Sequence, residues 1–566
     1  MERTSHPFDV DVLVVGSGGA GLVAALAAYA AGARVALIEK ADTIGGATAV
    51  SGGVIWAPNN HHMAAAGIPD SRDEAIEYIT RLSDGRSERQ TIEAFVDAAP
   101  AVVRFIEKAA PIAFKALPRY ADYYAEFPGG KPGGRSLDPG LFDTRQLGPW
   151  KDRLRQSPVF KVAAMSVTEF FAWEVAVGPK NIPFELLGQR IADGMVGYGA
   201  ALTGALLKAL LDRGIRPVLK TPARELLVED GRVAGVRAVS GGEEVVIRAR
   251  RGVILASGGF EWSPELCAQF LGGVLTHPLS PPSNRGDGLN MLMSAGAALG
   301  NMSEAWWCPT VAVPGEEYGG APFYRGEFTM RSLPHSMIVN RRGERFVNEA
   351  HNYNDLMKAF FRFEPRTYER ANLPAWLVFD ATYVEKYPLP FAMPGAPLPD
   401  WIPRAETLAE LAAQLGINPG GLVATAARFN GFAAEGVDRD FHRGGSRYDG
   451  VYGDPQSRPS PNLGPIERGP FYALQIHPGA LGTKGGARVD SNARVLRPTG
   501  EPIPGLYAAG NVMAAFSGAG YPGAGATIAG ALTFGFIAGQ HAAKRDGREG
   551  AAPREQAPGA PGGRAQ

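Results

Sequence analysis

The sequence predicts an α/β fold built on a parallel sheet, and three observations carry that expectation. Residues 9–15 form a short apolar run, followed at once by Gly16-Ser17-Gly18-Gly19-Ala20-Gly21. An Ala-rich helical stretch over 22–31 leads to a second apolar run at 34–39, which ends in Glu39. Alternating residues over 226–238 and 243–249 add a β-meander, turned first at Glu229-Asp230-Gly231-Arg232. Strand, glycine turn, helix and strand in that order predict a right-handed, Rossmann-like βαβ unit.

The glycines of the turn have mechanical reasons. One allows the tight turn, one lets the backbone approach a pyrophosphate, and the last permits close helix–sheet packing. The helix N-terminus then presents free N–H groups to the phosphates. Glu39 stands about 20 residues further on, where a carboxylate accepts hydrogen bonds from the adenosine ribose. An acid there disfavours a 2′-phosphate, so NADP is not expected. Gly45-Gly46-Ala47-Thr48 and Ser51-Gly52-Gly53 follow soon after. A second Gly-rich run favours FAD over NAD, because the extended flavin half needs further close backbone approach.

The 566 residues exceed one compact core, so two domains are expected. Hydrophobic residues are 45% and charged residues 20%, which is globular and excludes disorder or fibre. Lys plus Arg equals Asp plus Glu at 57 each, leaving no electrostatic footprint for nucleic acid or an anionic membrane. Cys267 and Cys308 are the only cysteines, which excludes a disulfide scaffold or a Cys-based metal centre. No metal is expected. Residues 1–9 lack an apolar signal core, and the longest apolar stretch, 12–38, is broken by five glycines, Ser17 and Arg34. A cytoplasmic enzyme without a transmembrane segment is the simplest class.

Further elements follow in order. Helices are expected at 92–98 and 101–108, with Pro100 in the first turn of the second. Residues 111–160 are rich in Pro, Gly and Tyr and read as a long irregular excursion. Residues 203–211 are helical, and 252–256 form a buried strand ending in Ser257-Gly258-Gly259. Helix 289–298, strands 336–340, 376–379 and 506–509, and a terminal helix 527–543 complete the pattern. The expected division is an FAD-binding first part over 1–286, with a lid-like excursion at 111–190. A substrate and catalytic α+β domain over 287–460, an FAD-binding second part over 461–544 and a disordered tail over 545–566 follow.

At this point the chain resembles the fumarate reductase and succinate dehydrogenase flavoprotein superfamily. The matching residues are Gly16–Gly21, Glu39-Lys40, Gly45–Gly53, Ala256–Gly259, Gly286-Asp287-Gly288, Arg345–Glu349 and Gly505–Asn511. The resemblance implies an FAD domain made from both chain ends with a substrate-capping domain inserted between them. It implies cofactor contacts at Gly16, Gly18, Gly19, Ala20, Gly21, Glu39, Lys40, Gly45, Gly46, Thr48, Ser51, Gly52 and Gly53. Further contacts are implied at Ala256, Gly258, Gly510, Asn511, Gly525, Thr527 and Ile528. No His stands in the 47–51 stretch, so non-covalent FAD is implied.

Where dicarboxylate enzymes of the superfamily carry two arginines, this chain has Tyr353 and Tyr521. Without those guanidiniums a dicarboxylate lacks its bidentate partners, so succinate and fumarate are rejected. The replacements are similar to the 3-ketosteroid Δ1-dehydrogenases. The similar segments are Tyr521–Gly525, Tyr353 after RFVNE, Tyr120–Tyr124 with its following Gly-rich run, Ser51–Asn60 and Gly482–Gly486. Ala524, Ala529-Gly530 and a long insertion at 138–190 depart from that pattern.

The resemblance implies oxidation beside a ketone. Tyr521 O–H and the Gly525 N–H polarise the carbonyl, Tyr353 takes the α-proton, and the flavin N5 accepts the β-hydride. Ionising an ordinary Tyr at neutral pH costs roughly 4 kcal/mol, so Tyr353 needs help. Tyr123 is the expected helper, with Tyr120 or Tyr124 able to substitute. The positive end of the helix starting at Thr527 is expected near the flavin pyrimidine ring. His351, His477, Arg345, Glu349 and Cys308 read as structural. Trp306, Trp307, Phe323, Phe328 and Phe516 are candidates for an apolar pocket wall or for core.

The expected substrate is a cyclic ketone, first a 3-ketosteroid desaturated at the 1,2 bond. A Δ4-(5α)-dehydrogenase, a dehydrogenase of a smaller cyclic ketone, an ene-reductase running in reverse and a non-catalytic flavin protein are the alternatives. With no second dinucleotide unit apparent, an external quinone-like or protein-borne electron acceptor is expected.

Overall fold

The computed structural model describes residues 9–544. Residues 1–8 and the tail 545–566, read above for a signal and for disorder, lie outside the described residues.

Asp9–Val15 forms the first strand, all buried but its first residue, and the turn runs directly into helix Gly19–Ala30. Val35–Ile38 pairs with it in parallel, from Val12 beside Val35 to Val15 beside Ile38. The main sheet is ordered Val35–Ile38, Asp9–Val15, Glu243–Leu255, Pro502–Ala508 and Arg494–Leu496. The meander is present as Ala223–Glu229, Arg232–Ser240 and Glu243–Leu255. Asp230 (φ +50°) and Gly231 (φ +75°) supply the left-handed pair that a tight hairpin demands.

Strand Glu243–Leu255 serves two neighbours. Its first half pairs antiparallel with Arg232–Ser240, and its second half runs parallel to Asp9–Val15. The sequence reading split this strand because its pattern changes there. Alternation suits the half-exposed meander, and a continuous apolar run suits a strand covered on both faces.

Helix Arg89–Ala109 runs through Pro100 without a break, correcting the expectation of two helices. An interior proline costs about 3 kcal/mol. One stripe of buried side chains, Ile92, Phe95, Val96, Ala99, Val103 and Ile106, continues across it and offsets that cost. The expected helices at 203–211, 289–298 and 527–543 appear as Tyr198–Asp212, Asp287–Ser294 and Ala526–Ala542.

The second sheet is ordered Ala321–Gly326, Ala305–Tyr318, Phe471–Thr483, Ala375–Phe379 and Ser336–Asn340. His277–Pro278 and Arg404–Ala405 also pair with Phe471–Thr483. Strand pairing therefore carries the inserted unit past both ends of 287–460. The excursion at 111–190 holds short elements. Lys115–Ala116, Ser136–Asp138 and Ile55–Trp56 form a small sheet, and helices Val167–Ala172 and Phe184–Ala192 follow.

The two chain ends meet helix to helix. A Cβ on Gly535 would stand 2.4 Å from the Ala20 carbonyl oxygen, and one on Gly539 2.4 Å from that of Ala24. Only glycine allows this approach, which brings the last helix against the first. Gly535→Ala should therefore lower the stability of the holoenzyme by about 1–3 kcal/mol, the range for overpacking. Chemical denaturation measures it, and an unchanged midpoint would mean that the helices have slack.

Candidate active site

One continuous cavity of about 640 Å³ joins the glycine turn at Gly16 to Tyr353 and Tyr521. All the expected cofactor residues line it except Gly21 and Gly45. A Cβ on Gly21 would fall 1.8 Å from the Gly16 carbonyl oxygen, so Gly21 closes the turn rather than facing the cleft. Gly45 (φ +115°) donates its N–H to the Ser17 carbonyl at 3.1 Å and braces the turn from behind.

The turn fits a dinucleotide. Gly18 caps helix Gly19–Ala30 without a side chain, leaving N–H groups for an anion. Gly19 N–H donates to Thr48 Oγ1 at 3.1 Å, which fastens the second Gly-rich run against the first. Glu39 accepts from Ser17 N–H at 2.9 Å and Ser17 Oγ–H at 2.8 Å on one oxygen, and from Ala41 N–H at 2.9 Å on the other. Its remaining lone pairs are available to ribose hydroxyls. Lys40 pairs with Asp287 at 2.5 Å.

The three tyrosines come together. Tyr123 donates its hydroxyl to Tyr353 Oη at 2.6 Å, with ring centroids 5.4 Å apart. Tyr521 packs edge-on against both, at 5.0 Å from Tyr123 and 5.7 Å from Tyr353. Tyr353 and Tyr521 line the cavity, and Tyr123 stands behind them. The other tyrosines of the segment are engaged elsewhere. Tyr120 shares a 2.6 Å hydrogen bond with Tyr452, and Tyr124 donates to Asp355 at 2.8 Å.

Each tyrosine is positioned by its own segment. Tyr123 N–H donates to the Pro522 carbonyl at 3.1 Å, and Tyr78 O–H donates to the same oxygen at 2.7 Å. The neighbouring Asp122 is buried, accepting from Trp56 Nε1 at 2.7 Å and from Arg135 at 2.8 Å. Burial lifts its pKa to about 6 against the opposing charge of Arg135. Tyr353 opens helix Tyr353–Phe360, which Asn352 caps through the Asp355 N–H at 3.0 Å. Arg345 and Glu349 lie outside the cavity. Arg345 grips Glu349 at 2.7 Å through two nitrogens and Asp438 at 2.8 Å, fixing the chain before Tyr353.

Tyr521 rests edge-on against Trp306 at 4.7 Å. Lys484 lies beneath, 4.6 Å over the Trp306 ring, donating to the carbonyls of Ala519 at 2.8 Å and Gly520 at 2.9 Å. Gly525 (φ +95°) caps the last helix, and a Cβ there would stand 2.3 Å from the Val54 oxygen. Its missing side chain is thus required by the fold as well as by a close ligand.

Phe323 and Phe328 line the cavity, whereas Trp307 packs on Phe361 and Phe516 stacks on Phe95 at 3.8 Å. His351 lies 3.3 Å from Tyr124 Oη, and His477 stacks on His277 at 3.9 Å; neither lines the cavity. Cys308 is buried, and burial pushes its thiol well up. Phe160, Phe170, Phe171 and Tyr452 line the cavity and went unremarked in the sequence. For the three phenylalanines the aromatic cluster within the excursion was the available signal; Tyr452 lies outside it.

Burial pushes the phenols of Tyr123, Tyr353 and Tyr521 well above their usual value. For Tyr353 the hydrogen bond from Tyr123 acts against that shift. Tyr353, Gly525 N–H and Thr527 N–H do the same for Tyr521.

The FAD binding domain family matches residues 11–528. The chain belongs to that family. It is 40% identical to a 3-oxosteroid 1-dehydrogenase of Mycolicibacterium smegmatis over 94% of this chain and 96% of that one. It is 39% identical to a 4-oxocyclohexanecarboxylate 2-dehydrogenase of Sinomonas cyclohexanicum over 94% and 92%. A 3-ketosteroid Δ1-dehydrogenase structure from Sterolibacterium denitrificans, in complex with 1,4-androstadiene-3,17-dione, superposes with a TM-score of 0.89. It is 36% identical, covering 95% of this chain and 99% of that one. This flavoprotein is therefore an FAD-dependent oxidoreductase acting on CH–CH bonds. It lies in the 3-ketosteroid Δ1-dehydrogenase-like branch of the fumarate reductase and succinate dehydrogenase superfamily. Among the described residues no helix is long and apolar enough to cross a membrane.

Two outcomes follow for this flavoprotein. With Tyr353 as the expected base, the rate should rise with pH from neutral well into the alkaline range, because deprotonated Tyr353 would be scarce below its raised pKa. Tyr123→Phe removes the opposing hydrogen bond and should move that limb to higher pH. A pH–rate profile of both proteins measures this, and superimposable limbs would end the helper role of Tyr123. Separately, burial pulls Lys484 down to about 7. Between about pH 7 and 10 the unfolded chain binds a proton there that the folded chain does not. Stability should rise with pH in that window by up to about 1.4 kcal/mol per unit. Lys484→Met should flatten that slope in urea denaturation at several pH values, and an unchanged slope would mean that Lys484 stays charged when folded.

Proposed function

We propose that this flavoprotein desaturates the 1,2 bond of a 3-oxosteroid. The observation that carries the reading is the Tyr123–Tyr353 hydrogen bond beside Tyr521, at the end of the cavity that holds the dinucleotide turn. FAD, when bound, supplies a hydride acceptor at N5. Tyr521 O–H and Gly525 N–H donate to the C3 carbonyl oxygen and favour the enolate over the ketone. Tyr353 Oη takes the C2 proton, and Tyr123 keeps its own proton while donating to that oxygen. The aromatic wall of Phe160, Phe171, Phe323, Phe328 and Tyr452 suits a large apolar ring system. An external acceptor, quinone-like or protein-borne, takes the electrons onward.

FAD is held non-covalently in this reading, since among the described residues no histidine lines the cavity. Acid precipitation should leave the flavin in the supernatant, and flavin in the pellet would overturn the point.

Tyr353→Phe should lower kcat by about 10²–10⁴-fold while the flavin absorbance stays with the protein. Anaerobic addition of androst-4-ene-3,17-dione should bleach the wild-type flavin and yield the 1,4-diene, with succinate inert. Bleaching by 4-oxocyclohexanecarboxylate alone would replace the steroid by a smaller ketone, and full activity in Tyr353→Phe would remove the assigned base.

A further inference from the structure

Three cations line the cavity, and two of them are neutralised. Lys40 pairs with Asp287 at 2.5 Å, and Arg325 binds Glu316 at 2.8 Å. The third, Arg155, has no acidic partner among the described residues. Its NH1 donates to the Tyr318 hydroxyl at 3.2 Å, and its Nε is buried without a hydrogen-bond partner.

Its place in the chain is fixed. Arg155 N–H donates to the Ile44 carbonyl at 2.9 Å, and Ile44 N–H donates to the Arg153 carbonyl at 2.7 Å. The next residue, Gly45, bridges Gly18 and bonds Ser17 of the glycine turn. Arg155 therefore lines the cavity from a backbone position next to the turn. Tyr318 reaches it from the long strand of the inserted unit.

A guanidinium whose buried Nε has no acceptor and whose charge has no acidic partner is costly, and the cost falls when an anion reaches it. The acids lining the cavity do not serve. Glu39 binds Ser17 and Ala41, Asp287 binds Lys40, and Glu327 faces Arg331 at 3.4 Å. A neutral ketone cannot serve either. A pyrophosphate brings negative charge and paired oxygens, which match the planar fork of arginine.

We propose that Arg155 closes over the pyrophosphate of bound FAD, anchored by Tyr318. The glycine turn and the helix N-terminus supply neutral N–H donors, and Arg155 supplies the positive charge that this cleft otherwise spends on its own acids. The excursion over 111–190, which carries Arg155, and the inserted unit, which carries Tyr318, are thereby tied to the cofactor. A carboxylate on the ketone shares the same anionic chemistry, but the backbone pairing with Ile44, the residue before Gly45, favours the dinucleotide.

The inference rests on non-covalent attachment, which acid precipitation tests separately. The experiment dilutes holoenzyme and follows the return of free-flavin fluorescence at low and high salt. Arg155→Gln should release FAD about tenfold faster or more at low salt, a change worth about 1.4 kcal/mol. It should also lose most of the salt dependence. Arg155→Lys keeps the charge without the fork and should fall between the two. The KM for androst-4-ene-3,17-dione should stay unchanged in Arg155→Gln. Unchanged FAD release with a raised KM for 4-oxocyclohexanecarboxylate would move the anion site to the substrate and overturn the proposal. Unchanged release with no change in either KM would overturn it as well.

Discussion

The carbonyl of Pro522 is the joint on which the site depends. It accepts the Tyr123 N–H and the Tyr78 O–H, and so joins two stretches some 400 positions apart in the chain. Next to it the Ser136 hydroxyl donates to the Ala524 carbonyl at 2.9 Å. Asp122 is clamped on the other side by Trp56 and Arg135. Each such bond is worth only about 1 kcal/mol net, but a buried partner left unsatisfied costs more. The segments carrying Tyr123 and Tyr521 are therefore held in one register. The helix Ala526–Ala542 begins just beyond them and packs on Gly19–Ala30 through Gly535 and Gly539.

Burial and chemistry pull in opposite directions at the tyrosines. The dry setting that lets a donor act strongly on a developing enolate also raises the cost of ionising Tyr353. The hydrogen bond from Tyr123 opposes that rise at Tyr353, whose oxygen carries charge in the proposed mechanism. Burial pushes both phenols upward, and the hydrogen bond runs from Tyr123 to Tyr353. Amines, not carboxylates, support Tyr521 from beneath. Lys484 and Lys358 both donate to the Ala519 carbonyl, at 2.8 and 3.0 Å. Asp355 is occupied by Tyr124 and Lys358.

The parts legible in the sequence were those set by short-range physics. The glycine turn, Glu39 and the Asp230-Gly231 hairpin each need a residue type that little else explains. Tyr353 and Tyr521 were legible through the motifs around them, and Tyr123 through its motif with two rivals beside it. Of the three only Tyr123 donates to Tyr353, and no local pattern encodes that direction. Pro100 was misread because a long apolar stripe outweighs a local breaker, and that is visible only once the helix is packed. Strand Phe471–Thr483 went unassigned to the inserted unit because the strands it pairs with, at 277–278, 305–310, 375–379 and 404–405, all lie far earlier in the chain. Arg155 sits in the insertion that departs from the family pattern, so motif reasoning had no purchase on it.

The inserted unit must deliver Tyr353 to a site built by the other domain, and it does so with buried charge. Arg345, Glu349, Asp438 and Arg443 are all buried. Burial alone would raise the Glu349 pKa, but Arg345 and Arg443 hold it below the usual carboxylate range. Arg443 also donates to the carbonyls of Ser336 and Leu333 at 2.7 Å, and Arg331 donates to that of His351 at 2.6 Å. A well-packed apolar cluster of the same volume would often be equally stable or more so. It would not fix direction, because apolar contacts tolerate sliding and a bidentate arginine does not. Tyr353 must meet Tyr123 at 2.6 Å, and a displacement of about 1 Å would break that bond. The buried ionic cluster is thus explained by the positional demand of one hydrogen bond more than by stability.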